Sequence, residues 1–221
     1  MTYGERLATR RLAFSRASIR PIVDPRPLRP AKLHSIYGDE YDQGVLDGSW
    51  STQGTLPTGL ALAGSSWASA QFNNTNQYVY RPAPSGDFTL SGAAQIVGPG
   101  NNSNQFGLVA LDDSGNGVAV IAYDNTDRLY IVQVAAGVQS GGFQFIGSEN
   151  GTPYQVAGLL GHYRIIKSGT SYTGQFGNRQ GTAWSAASDS VTGPSTITRI
   201  GWGKTLGSTA TTVRFDWIDV S

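Results

Sequence analysis

Short alternating runs of apolar and polar residues fill the chain from about residue 37 to its end. Residues 117–123 read GVAVIAY, 171–177 read SYTGQFG and 211–220 read TTVRFDWIDV. Neighbouring side chains on a strand face opposite ways, so a spacing of two predicts strands. They are expected over 59–62, 66–72, 77–81, 87–97, 105–111, 117–123, 128–134, 142–146, 154–159, 162–167, 171–177, 197–203 and 211–220. Turn-forming residues separate them: PSG at 84–86, DSGNG at 113–117, DNTD at 124–127 and KSGT at 167–170. No helical apolar period is sustained over about twelve residues. About a dozen strands at this spacing predict an all-β, two-sheet antiparallel sandwich, with a barrel as the second arrangement.

The first 36 residues follow another pattern. Thr2 and Glu5 have the spacing of a capping box, and Leu7, Ala8, Leu12 and Phe14 line one side of a short helix ending near residue 18. Pro21, Pro25, Pro27 and Pro30 then favour an extended strap that cannot enter the middle of a sheet. Charge divides at the same place. Residues 1–36 carry Arg6, Arg10, Arg11, Arg16, Arg20, Arg26, Arg29 and Lys32 against Glu5 and Asp24, a net +6, and the other residues carry a net −5, so the total is only +1. The break predicts a basic N-terminal anchoring arm at 1–36 and one sandwich domain at 37–221.

Five tryptophans give the domain material for a large core, and the absence of cysteine excludes a disulfide framework, a thiolate metal site and a cysteine nucleophile. No run approaches the roughly 18 apolar residues of a membrane span. Arginines from Arg6 to Arg20 also interrupt any signal-peptide core, so no membrane partner is expected.

Several segments in chain order resemble a concanavalin A-like jelly roll, the fold of legume lectins, laminin G-like modules and many glycanases. The series begins with YGDEYD at 37–42 and LDGSW at 46–50, and continues with SGDFTL at 85–90 and FGLVALDD at 106–113. VAVIAY at 118–123, YRIIKSGTSY at 163–172, Trp184 and VRFDWIDV at 213–220 complete it. The resemblance implies a concanavalin A-like β-sandwich over 37–221 and leaves function open, because that fold hosts lectins, hydrolases and structural modules. A basic, proline-strapped arm ahead of one lectin-like sandwich is similar in layout to tailed-phage virion proteins: minor tail, receptor-binding and capsid decoration proteins.

The candidate chemistry is sparse. Glycanases of the resembling family carry Glu-x-Asp-x-Glu on a strand, which supplies one carboxyl to protonate the leaving oxygen and another to attack or stabilise the sugar. No such motif occurs, and Asp216 and Asp219, three apart, are expected on opposite faces of their strand. His162 is expected to be an ordinary strand residue, since no Gly-x-Ser-x-Gly elbow accompanies it. Gly203-Lys204-Thr205 lacks the upstream glycine of a phosphate loop.

Trp67, Tyr78 and Tyr80 beside Asn74 and the polar loop holding Asn102 offer flat faces and amides to a sugar; the alternative is core filling and turn formation. Tyr78 and Tyr80 are expected on one strand face. Asp112, Asp113 and Asn116 can offer oxygens to Ca²⁺ or build a hairpin turn; no other cofactor is implied.

The expectation is a non-enzymatic virion protein, on tail or capsid surface, whose arm docks on other virion proteins and whose lectin-like domain binds host-surface glycan. Self-association is expected with it. Nucleic acid is the less simple partner for the arm, which lacks interleaved aromatics. The alternative is a secreted bacterial carbohydrate-binding module or weak glycanase.

Overall fold

A computed structural model describes residues 50–53, 58–63, 67–97, 105–123, 129–146, 160–177, 183–207 and 209–221. The anchoring arm with its seven arginines, the strand expected over 154–159 and Asn102 lie outside the described residues. Two antiparallel seven-stranded sheets make the sandwich. Sheet I runs in the order β1 (Ser51–Gln53), β4 (Gln77–Pro82), β13 (Arg199–Leu206), β6 (Gln105–Leu111), β7 (Gly117–Tyr123), β8 (Leu129–Ala135) and β9 (Val138–Phe145). Sheet II runs β12 (Val191–Thr192), β11 (Ser171–Gly177), β10 (Leu160–Ser168), β5 (Phe88–Val97), β14 (Thr211–Val220), β3 (Trp67–Phe72) and β2 (Thr58–Ala63). No described residue is helical. The sandwich expected from the alternation is therefore the observed fold.

The core follows from the period of two. Leu108 and Ala110 on β6, Val118 and Val120 on β7, and Leu90 and Ala94 on β5 face inward and are buried. Trp202 on β13 is the hub: Phe106 stacks parallel to it at 6.1 Å, Tyr163 meets it edge-on at 5.5 Å, and Phe215 tilts against it at 5.8 Å. Space for the indole comes from β5, where a Cβ at Gly92 would lie 2.7 Å from Trp202 Cζ2. Aromatic pairs at these separations add to the area term of burial, so this cluster ties the two sheets together.

Two local features fall outside the period. Ala136 and Gly137 both take positive φ, 48° and 79°, and close the β8–β9 hairpin between paired Ala135 and Val138, as a primed two-residue turn requires. Asn116 Oδ1 accepts the Ala136 N–H at 3.1 Å and steadies that strained residue. The second feature is a bulge in β14. Phe215 pairs with Ala94 and Trp217 with the adjacent Ala93, which leaves Asp216 as an extra residue.

Candidate functional site

The outer face of sheet II brings together several side chains with sugar-binding or acid–base chemistry. On β10, Tyr163 and Ile165 enter the core, so His162 and Arg164 project outward. On β5, Leu90 and Ala94 point inward and leave Ser91, Ala93 and Gln95 outward; on β11, Tyr172 and Phe176 do the same for Gln175 and Gly177. The bulge changes the phase of β14. Phe215 is inward, so Asp216 faces out; Ile218 is also inward, so Trp217 and Asp219 face out. The expectation that Asp216 and Asp219 oppose each other across the strand is thereby corrected. One extra residue shifts the alternation and brings both carboxylates to the outer face.

Register sets these side chains in two rows. Asp219, Ser91, Arg164 and Gln175 form one; Trp217, Ala93, His162 and Gly177 form the next, with Trp184 bridged to Gly177. Trp184 is held there through its neighbour Ser185: Ser185 N donates to the Phe176 carbonyl at 2.7 Å, and the Ser185 hydroxyl oxygen accepts from Phe176 N at 3.0 Å. Gly177 makes room for His162 on the neighbouring strand, since a Cβ there would fall 2.7 Å from His162 Cβ, and the Trp184 ring lies within 3.5 Å of the same point.

Arg164 lies over the Trp184 ring, 3.6 Å from its centroid. Its Nε donates to Ser91 Oγ at 3.1 Å and its Nη1 to Gln175 Oε1 at 3.3 Å. Gln175 is held in turn, because its Nε2 donates to the Ser185 carbonyl at 2.8 Å. Burial pushes the Arg164 pKa below its ordinary value. His162 is 2% exposed and its ring lies 6.1 Å from that of Trp217. Trp217 and Asp216 are also buried, so the open part of the site is the Arg164 row with Trp184.

The residues expected to bind sugar fall elsewhere. Tyr78 and Tyr80 do share the outer face of sheet I. Tyr78 is fully buried there and its hydroxyl donates to the Gly137 carbonyl, which leaves it no surface to offer a ligand. Tyr80 is half-buried beneath the Arg199 guanidinium, 4.9 Å from its ring centroid. Asn74 is exposed in the β3–β4 turn, where its N–H donates to Gln77 Oε1 at 2.9 Å. Trp67 opens β3, and its side chain is outside those described. No sequence signal marks the alternative site, because Ser91 and Asp219 are brought from far along the chain to Arg164, Gln175 and Trp184 and a bulge sets the phase of β14.

The loop offered for Ca²⁺ is a hairpin turn in the structure. Asp112 Oδ1 accepts the N–H groups of Ser114 and Asn116, both at 2.8 Å, and Asp112 Oδ2 accepts from Asn116 Nδ2 at 3.3 Å. Asp113 Oδ1 accepts from Thr198 Oγ1 at 2.8 Å and faces Arg199 Nη2 at 3.5 Å. These oxygens are engaged by the turn and its neighbours. Among the described residues, no group of three or more His, Cys, Asp or Glu is placed to hold a metal. A shallow cleft of about 370 Å³ opens beside the turn, between Asp113 and Thr196.

No family model matches the chain, and no curated protein matches it. Solved structures share its fold. A Bacillus halodurans xylan beta-1,4-xylosidase is similar at a TM-score of 0.60 and 12% identity, over 89% of this chain and 41% of the other. A Bacillus licheniformis beta-glucanase is similar at 0.57 and 9%, over 82% of this chain and 95% of the other. The exoplasmic/lumenal domain of VIP36, in its Ca²⁺/Man2-bound form, is similar at 0.54 and 12%, over 83% and 86%. The chain thus spans about two fifths of the xylosidase and nearly all of the glucanase.

These findings correct the expectation that the chain is not an enzyme. Its architecture is shared with a glucanase along almost that enzyme's whole length, so the lectin-like layout does not separate binder from hydrolase. Nor does the missing Glu-x-Asp-x-Glu motif, because the bulge gives a strand two outward carboxylates at a spacing that the motif does not describe.

Proposed function

We propose that the chain is a carbohydrate-recognising domain of the kind found in bacterial glycan-active proteins, and that it takes its ligand on the outer face of sheet II. The observation that carries this reading is Trp184, held over the sheet through the hydrogen bonds of Ser185 and flanked by Arg164, Gln175 and Ser91. A pyranose presents an apolar face and a ring of hydroxyls; Arg164 covers one face of the indole, so the sugar would pack on the part of the ring it leaves open and meet the fixed groups of Arg164, Gln175 and Ser91. The shared fold with a xylosidase, a glucanase and the Ca²⁺/Man2-bound domain of VIP36 supports the same ligand class. The basic segment 1–36 is the attachment segment in this reading, and its placement in a virion rests on charge layout alone.

Affinity electrophoresis of the full chain in gels containing xylan, xyloglucan, mixed-linkage β-glucan, glucuronoxylan or polygalacturonate tests the proposal. Retardation by at least one polymer, lost in Trp184→Ala, is the expected outcome. Migration unchanged by every polymer would overturn it. Reducing ends assayed in the same mixtures register any cleavage, with Asp216→Asn and Asp219→Asn as the variants that would abolish it.

A further inference from the structure

We infer that the glycan bound at this face is acidic, carrying a uronic acid carboxylate, and that Arg164 is the residue that recognises it. The inference rests on the proposed glycan-binding function and narrows its ligand class.

Two of the described cations face carboxylates. Arg199 faces the carboxylate of Asp113 at 3.5 Å, and Lys167, almost wholly buried, faces Asp87 at 3.5 Å. Arg164 differs. Its partners are a hydroxyl, a carboxamide oxygen and an indole face, all neutral. Asp219 lies across Ser91, on the second strand from Arg164, and the guanidinium turns its bonded donors to Ser91 and Gln175 instead. Ser91 and Gln175 occupy two of the five guanidinium N–H donors, which leaves three to be filled from outside.

A half-buried cation on a neutral cradle is costly to maintain, because it gives up hydration without gaining a counter-ion. Its cradle nevertheless fixes the plane of the fork: Trp184 holds one face, Ser91 and Gln175 fix two edges, and Gln175 is itself tied to the Ser185 carbonyl. Water can fill the free donors in the unbound protein. A carboxylate that displaces it gains charge-assisted, paired hydrogen bonds in a geometry already set, which is the recognition at which arginine exceeds lysine. Uronic acids carry that planar anion in the polysaccharides of plant and bacterial walls, and they are the acidic sugars this inference commits to. A neutral pyranose would leave the charge unmatched.

The test uses the full chain with glucuronoxylan, polygalacturonate and polymannuronate, each paired with its own carboxyl-reduced form. Binding at least tenfold tighter to one acidic polymer than to its reduced partner is expected, with Arg164→Gln bringing the two to parity at an unchanged melting temperature. Equal binding to an acidic polymer and its reduced form overturns the acidic ligand and leaves glycan binding standing. Binding to none of the six polymers, nor to xyloglucan or β-glucan, overturns both. A preference retained in Arg164→Gln removes Arg164 from the role. Should that variant fail to fold, Gln175→Ala, which frees one edge of the fork, is expected to cut the preference severalfold; an unchanged preference there counts against the inference.

Discussion

The two outer faces of the sandwich are built from opposite materials. On sheet I, Tyr78, Val109, Leu111, Ala119, Ile121, Val132 and Val134 form a second apolar cluster, each at most 3% exposed. On sheet II the outward positions hold Arg164, Gln175, Ser91, His162, Asp216, Asp219 and two tryptophans. The contrast separates stability from recognition. Sheet I gains from covering its outer face, since each large apolar side chain removed from water contributes about 1.5–3 kcal/mol. Sheet II instead holds Arg164, Gln175 and Ser91 half-buried in a hydrogen-bonded row, and under the proposed function these are the groups a ligand would use.

The largest effect should come from the tyrosine that closes the outer face of sheet I. Tyr78 crosses β13 and reaches the Gly137 carbonyl in the β8–β9 turn, linking two distant strands of the curled sheet. Truncating a buried aromatic of this size costs about 3–5 kcal/mol. Tyr78→Ala should lower the urea midpoint accordingly while leaving glycan affinity per folded molecule unchanged. A loss below about 1 kcal/mol would show that this face is not part of the stabilising core.

The next effect tests the same contact from below. A Cβ on Gly203 would fall 1.9 Å from Tyr78 Cδ1, inside any tolerable contact, so Gly203→Ala must displace the ring. Overpacking of this sort costs about 1–3 kcal/mol. The double variant Tyr78→Ala/Gly203→Ala should cost less than the sum of the singles, because the clash disappears with the ring. Additive losses in chemical denaturation would mean that the two residues do not press on each other.

Trp184→Ala carries the comparison to sheet II and reverses the pattern. The indole is half-buried and packs on Gly177 and Arg164 rather than on the core. Stability should fall by no more than about 1 kcal/mol, while glycan affinity should drop at least tenfold, equivalent to about 1.4 kcal/mol. A loss of stability with no loss of affinity would assign this face, too, to the fold.

Much of the fold was legible because one rule governs most of it. The expected strands 105–111, 117–123, 171–177 and 211–220 coincide with β6, β7, β11 and β14, where alternation is clean and glycine turns flank the runs. β9 was expected only from residue 142, because its first half, VQSG, has no apolar alternation and its turn is Ala-Gly rather than Asn-Gly. The short edge strands β1 and β12 carry too few residues for a period to register. The candidate site was hidden for a different reason. Nothing in TTVRFDWIDV marks Asp216 as an extra residue, so alternation counted through it inverts every later side chain. Aromatic residues near asparagines were legible as a pattern, but sequence distance cannot tell a tyrosine lying on a glycine strand from one open to solvent.

The smallest expected effect bears most directly on which face binds. Phe143 and Phe145 on β9, the last described strand of sheet I, are 47% and 48% exposed and flank Tyr130 at 5.8 and 5.7 Å as an aromatic ledge. Flat exposed rings are also what a sugar stacks on, so this ledge is the direct competitor of the Trp184 site. Its rings are apolar, whereas the Trp184 site sets Arg164 and Gln175 beside its indole, each held by two hydrogen-bond partners. Phe143→Ser should therefore change stability by less than about 0.5 kcal/mol, as an exposed substitution does, and leave polysaccharide retardation as in the unaltered chain. If retardation instead vanishes in Phe143→Ser and survives in Trp184→Ala, the ligand sits on the apolar side, and the charges of sheet II need an explanation other than glycan.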